Sequence, residues 1–193
     1  MRQIEFELHR VKCKTWILKK NKNIHLEFVA IDFETATYAG SSACAVGMVT
    51  MNQGHIVDEY YTLIQPPRNE YFYSNINVHG ITPRDTEEAQ SFEEVYSEIR
   101  KRLMDKKIVA HNEAFDRGVL RKCLEYYEIY EPDIELQYPW ECTVKIYRKK
   151  KEGKANLQAC CDRHDIVLDH HNALSDARAC AKLYWKHLAP LFA

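Results

Sequence analysis

The most constraining feature of this chain is an apolar run that ends in acids. Phe28-Val29-Ala30-Ile31 leads directly into Asp32, and Glu34 stands two residues further on. A short run of this kind reads as a buried strand. Residues two apart on a strand share one face, so Asp32 and Glu34 would hold two carboxylates side by side at a sheet position. Such neighbours raise each other's pKa unless a cation neutralises them. All-oxygen ligands select hard ions such as Mg²⁺ or Mn²⁺. Taken alone, the pair reads better as a strand-end turn, so the rest of the chain has to decide.

The pattern downstream alternates. Ala43 to Thr50 and Ile56 to Ile64 read as strands, joined by the hairpin signal Asn52-Gln53-Gly54. Pro66-Pro67 ends that run, and Arg68 to Gly80 reads as a loop. Phe92, Val95, Tyr96, Ile99 and Leu103 fall at helical spacing, with Ser91 as N-cap and Glu94 at the capping-box position. Ile108-Val109-Ala110 is a short central strand, followed by a helix through Phe115, Val119, Leu120, Cys123, Leu124 and Tyr127. Thr143 to Tyr147 and Asn156 to His164 read as short helices. The last helix carries Leu174, Ala177, Ala181, Tyr184 and Leu188 as its core-facing stripe. A strand meander followed by alternating helix and strand is an α/β pattern: a mixed sheet with helices on its faces.

Two further acids sit in this framework. Asp116, in Ala110-His111-Asn112-Glu113-Ala114-Phe115-Asp116, lies on the first turns of the helix that follows the central strand. Asp176 lies among the apolar residues of the last helix, where a buried carboxylate wants a metal or a partner. His171 stands five residues earlier, beside His170, and can overhang the same place or simply be a surface histidine.

Together, Asp-x-Glu at the first strand, His-Asn-x-x-Phe-Asp in mid-chain and His-x-x-x-x-Asp near the end resemble the DEDDh 3′–5′ exonucleases of the ribonuclease-H-like superfamily. The likeness is to the proofreading ε subunit of DNA polymerase III and its stand-alone relatives. It spans about residues 28–189 and includes Val78-His79-Gly80-Ile81-Thr82. His171 separates the chain from the tyrosine branch. Two departures stand out: Ala36-Thr37 replaces the usual small polar or glycine residues, and Cys142-Thr143 replaces an acidic-threonine pair.

The resemblance implies a mixed five-stranded sheet flanked by helices. It implies two Mg²⁺ ions, for which Mn²⁺ may substitute as metal, held by Asp32, Glu34, Asp116 and Asp176, with His171 as general base. Two such ions about 4 Å apart clamp an in-line displacement. It also implies contacts to the terminal nucleotides from Thr35, His79, Asn112 and Phe115; Phe115 could equally be a core residue. The implied reaction is hydrolysis at the 3′ end of single-stranded DNA, releasing nucleoside 5′-monophosphates in proofreading or repair, with a DNA polymerase as a partner in trans. The alternatives are an exoribonuclease or oligonucleotide-degrading enzyme acting on RNA, and a nuclease-like module that only binds nucleic acid.

Composition sets the remaining expectations. With 46% hydrophobic and 28% charged residues, the chain is ordinary globular material, and a net charge of −1 excludes a strongly basic coat. A local basic groove is still open: Arg148-Lys149-Lys150-Lys151, with Lys154, is either a solvated loop or a phosphate contact, and Tyr71-Phe72-Tyr73 either stacks on bases or packs on the domain. Residues 1–27 are expected to form a basic extension, a strand or hairpin ahead of an exonuclease domain at 28–193. It would be a nucleic-acid arm or a solvated appendage. No run nears the roughly 18 apolar residues of a membrane span, and residues 1–8 lack the apolar stretch of a secretory signal. Seven cysteines without CxxC spacing fit buried reduced thiols and a cytoplasmic location better than disulfides or a zinc site at Cys160-Cys161.

Overall fold

The computed structural model describes residues 27–130 and 140–191. The expected N-terminal extension falls outside them, Glu27 apart, which opens the first strand.

Five strands form one mixed sheet in the order β3-β2-β1-β4-β5. β1 (Glu27–Thr35), β2 (Ala43–Asn52) and β3 (His55–Leu63) make an antiparallel meander. β4 (Lys107–Ala110) and β5 (Glu141–Cys142) run parallel to β1 and to each other. The β2–β3 turn has two residues, Gln53 (φ 50°) and Gly54 (φ 86°), the paired positive φ angles of a tight hairpin.

The alternation of β1 sorts the core. Val29, Ile31 and Phe33 pack with Val46 and Met48 against α2 (Phe92–Leu103) and α3 (Glu113–Tyr126). Phe28 and Ala30 pack with Val49 and Met51 against α6 (Ala173–Leu188) through Ala177, Cys180, Ala181 and Tyr184. α4 (Thr143–Lys150) and α5 (Leu157–Arg163) complete that second layer, with Tyr147, Leu157, Cys160, Cys161 and Leu183 in contact. The capping box of α2 forms as expected. Ser91 Oγ accepts from Glu94 N, and Ser91 N donates to Glu94 Oε2 at 2.7 Å.

Three expectations need correction. Tyr73–His79 is a helix, α1, inside the segment read as a loop. Its Asn, Tyr, Ser and Val residues are weak helix formers, and it has no side-chain N-cap. Tertiary bonds hold it instead: Phe72 N donates to Ala36 O (2.8 Å) and Asn75 Nδ2 to Thr35 O (2.8 Å). Gly80 (φ 75°) ends it in the left-handed conformation. The basic run, with a loop as its default reading, instead completes α4 through Lys150, and Lys151 (φ 58°) is its C-cap. Phe115 occupies the apolar stripe of α3 yet is 46% exposed, so it is not a core residue. The six described cysteines are free and buried, and no cysteine belongs to a metal-competent cluster among the described residues.

Gly47 sets the distance between sheet and helix. It pairs with Asp32 across the β1–β2 ladder, and a Cβ there would lie 2.2 Å from Ala173 O and 2.4 Å from Leu174 N. The first turn of α6 therefore rests directly on the β2 backbone, which is the close approach that glycine in a strand interior permits. Gly47→Ala is expected to lower the unfolding free energy by about 1–3 kcal/mol. Urea-induced unfolding measures it; an unchanged midpoint would show that α6 does not bear on the strand this tightly.

Candidate active site

The four carboxylates meet because three separate elements end at one place. Asp32 and Glu34 share the α6 face of β1, beyond the last residues that β4 pairs. The ladder to β4 stops at Ala30, so Phe33 N has no strand partner and donates instead to Asp116 Oδ1 at 3.0 Å. That bond pins the first turn of α3 to the strand end. Asp176 comes from the first turn of α6, brought down by the contact at Gly47. The ligand atoms of Asp32, Glu34 and Asp176 lie within 4.8 Å of one another. Asp116 Oδ2 is buried and has no hydrogen-bond partner.

The electrostatics of this grouping are those of an uncompensated acid cluster. Burial is the first cause in each case, and neighbouring carboxylates add to it for Asp32, Glu34 and Asp116. Glu34 is pushed up to about 8 by burial and then by Asp176 and Asp116. Asp116 also rises to about 8, because burial outweighs the lowering bond from Phe33 N. Asp32 lies well above the usual carboxylate range, through burial and the charges of Asp116, Asp176 and Glu34. Asp176 is raised less freely, since His170 and the His171 backbone N–H offset part of its burial. An oxygen cluster that cannot hold its own charge, with a buried oxygen lacking a partner, fits a divalent cation.

Two histidines overhang the acids. His170 Nδ1 lies 3.0 Å from Asp176 Oδ2, and His171 N donates to the same oxygen at 3.2 Å. The two rings stack at 3.9 Å, and His171 takes φ 68° to allow it. Desolvation and the His170 charge hold His171 below the ordinary imidazole pKa. Sequence reasoning used only His171; His170 forms a second metal-competent group with His171 and Asp176. Its adjacency to His171 was the one available signal.

A cleft of about 830 Å³ opens over these groups. Asp32, Glu34, Asp176, His170 and His171 line it, as do all four residues expected at the terminal nucleotides: Thr35, His79, Asn112 and Phe115. Asp116 is buried behind it. His79 has both ring nitrogens committed: Nε2 donates to Thr35 O (3.2 Å) and Nδ1 accepts from Ile81 N (3.0 Å). It therefore fixes the Thr35 turn. Asn112 stands in the left-handed conformation (φ 72°) at the start of α3. His111, beside it, bonds Thr143 Oγ1 through Nδ1 at 2.8 Å, and burial lowers its pKa to about 4. Arg148, for which a phosphate contact was one expectation, lines the cleft; sequence reasoning missed the His111–Thr143 bond and Gly47. Only Gly47 left a trace, as a glycine inside an apolar strand.

The exonuclease family RNase_T matches residues 29–184. The PolC-type DNA polymerase III of Thermotoga maritima is 32% identical over 161 residues, which cover 81% of this chain and 11% of the polymerase. The chain thus spans about a tenth of the length of the curated relatives it matches. Among solved structures, exonuclease X in complex with 5′ overhanging duplex DNA superimposes with TM-score 0.68 at 24% identity, covering 86% of this chain and 93% of that one. The nuclease domain of 3′hExo, a DEDDh family member bound to rAMP, superimposes with TM-score 0.73 at 15% identity, covering 88% and 95%. Family match, sheet order and acid–histidine set agree, and this chain is a member of the RNase_T exonuclease family, of the DEDDh type, on a ribonuclease-H-like fold.

Proposed function

We propose that the protein is a metal-dependent 3′–5′ exonuclease that removes nucleoside 5′-monophosphates from single-stranded DNA ends. The observation that carries this reading is the convergence of Asp32, Glu34 and Asp176 beneath two histidines in an open cleft, with the buried Asp116 behind them carrying an unpartnered oxygen. The PolC-type relatives, in which the matching stretch lies within a DNA polymerase III chain, support DNA as substrate, and proofreading for a polymerase in trans is the setting proposed here. The six free buried thiols suit a cytoplasmic location.

Asp32, Glu34 and Asp176 would hold one Mg²⁺, and Asp32 with Asp116 a second. Bound divalent ions supply charge neutralisation for the phosphoryl oxygens and for the leaving oxygen. The chain's own contribution is position and proton handling. His171, kept neutral near pH 7, accepts the proton of the attacking water at its imidazole nitrogen. Water oxygen bonds to phosphorus as the bond to the 3′ oxygen of the penultimate nucleotide breaks. His170, bonded to Asp176, steadies that carboxylate and the ring stacked on it. Asp116, tied to Phe33 N, keeps its other oxygen buried and without a hydrogen-bond partner, available to an ion.

The direct test offers 3′-hydroxyl and 3′-blocked strands of DNA and RNA with Mg²⁺. Mononucleotides should appear from 3′-hydroxyl DNA, and Asp32→Ala should lower the rate on the order of 1,000-fold. Release starting at 5′ ends, or activity that survives that substitution, would refute the mechanism; faster release from RNA would move the substrate class. His171→Ala is expected to cost about 100- to 10,000-fold in kcat, with a smaller loss for His170→Ala. The reverse ranking would exchange their roles.

Stability should depend on pH in a way that metal removes. Glu34 and Asp116 stay protonated up to about pH 8 in the metal-free fold, whereas the unfolded chain releases those protons near pH 4. The folded state then binds more protons, so stability falls as pH rises through this window. His111 acts in the opposite sense below about pH 6.5. The clean interval is therefore about pH 6.5 to 8. There Tm in chelator should decline and Mg²⁺ should restore it, most at the upper end. A Tm that is flat with pH and indifferent to Mg²⁺ would mean the acids hold no ion.

A further inference from the structure

The cleft lining is of two chemical kinds. Tyr38 is 79% exposed and Phe115 46%, and both line the cleft. Tyr38 is anchored rather than loose: its hydroxyl bonds Ser74 Oγ at 2.9 Å and its ring meets Phe72 edge-on at 5.2 Å. The second kind is cationic. Arg148 on α4 lines the same cleft, as do Ala155 and Asn156, which directly follow Lys154. Lys151 caps α4 with its N–H on Arg148 O. Arg148 lines the cleft, Lys151 and Lys154 lie on the short segment between it and the lining residues Ala155 and Asn156, and all three are exposed.

Arg102, Lys107, Arg117, Lys122, Lys145 and Arg178 each meet a carboxylate within 4.0 Å. Arg148, Lys151 and Lys154 share with Arg84, Lys101, Lys182 and Lys186 the lack of a carboxylate within 4.0 Å among the described residues; what distinguishes them is their place beside the cleft. Glu152, the acid within their loop, turns instead toward His164 at 3.9 Å. A group of uncompensated cations is disfavoured by itself and favoured beside a polyanion. Cations beside exposed aromatic rings are the arrangement that holds single-stranded nucleic acid, with phosphates on one and bases on the other.

We propose that Arg148, Lys151 and Lys154 form a phosphate track for the strand on the 5′ side of the reacting end, while Tyr38 and Phe115 stack its bases. The proposal rests on the exonuclease reading for the strand's direction. It makes the substrate a single-stranded polynucleotide several nucleotides long, since paired bases have no free faces to stack. The backbone is shared by DNA and RNA, so both should use the track.

The test is fluorescence anisotropy with labelled decathymidylate and decauridylate, in chelator, across a salt series. Replacing all three cations by glutamine should reduce the slope of log affinity against log salt by about 2, for both strands. Lys151→Gln with Lys154→Gln, both exposed, should reduce it by about 1.4 and guards against misfolding of the triple variant. Tyr38→Ala with Phe115→Ala should weaken binding about 5- to 100-fold and leave the slope unchanged. An unchanged slope in the cation variants, no wild-type binding at low salt, or blunt duplex held as tightly as single strands would overturn the track. Hydrolysis is read separately. A wild type that binds with this slope but releases no mononucleotides sinks the exonuclease reading and leaves the track standing.

Discussion

The contact between Gly47 and the first turn of α6 is the constraint on which the site depends. Without a side chain at Gly47, the backbone of Ala173 and Leu174 sits on β2. Asp32 is the ladder partner of Gly47, so the helix lands beside the very residue whose charge it must share. Asp176, three residues into α6, then meets Asp32 and Glu34. A larger residue at position 47 would hold the helix off the sheet and separate the third carboxylate from the first two. The apolar stripe of Ala177, Cys180, Ala181 and Tyr184 secures the remainder of that helix on the same face.

The second constraint is a mismatch of strand lengths. β1 outruns β4, and the backbone N–H of Phe33 would otherwise be unsatisfied in a buried setting. Asp116 supplies the acceptor. One oxygen of that carboxylate thus does structural work and the other is left buried without a hydrogen-bond partner. The metal-free fold tolerates this by raising the pKa of the acids. The same dry surroundings that make the acids unwilling to ionise alone would make them avid for a divalent ion.

Much of this was legible beforehand because it is written in local pattern. The stripe of α2, its capping box and the Gln53-Gly54 turn all follow from spacing and residue type. The acid-interrupted strand was visible for the same reason, since a charged residue in an apolar run is unusual wherever it falls. What escaped was set by distant contacts. α1 has poor helix formers and is held by bonds to Thr35 and Ala36. Phe115 belongs to an apolar stripe by spacing, yet it sits on the turn of α3 that reaches past the core into the cleft. His170 and His171 are equivalent in sequence, and only the left-handed backbone at His171 assigns them different contacts with Asp176.

The sequence by itself determined the α/β alternation, the candidate acids and histidine, and their order along the chain, because periodicity and residue chemistry are local properties. Tertiary structure alone decided that the acids share one site, that one oxygen of Asp116 stays free, and that Arg148 reaches the cleft without a carboxylate partner among the described residues. Those facts depend on strand lengths, on a single close backbone approach at Gly47, and on which charges find partners across elements far apart in the chain.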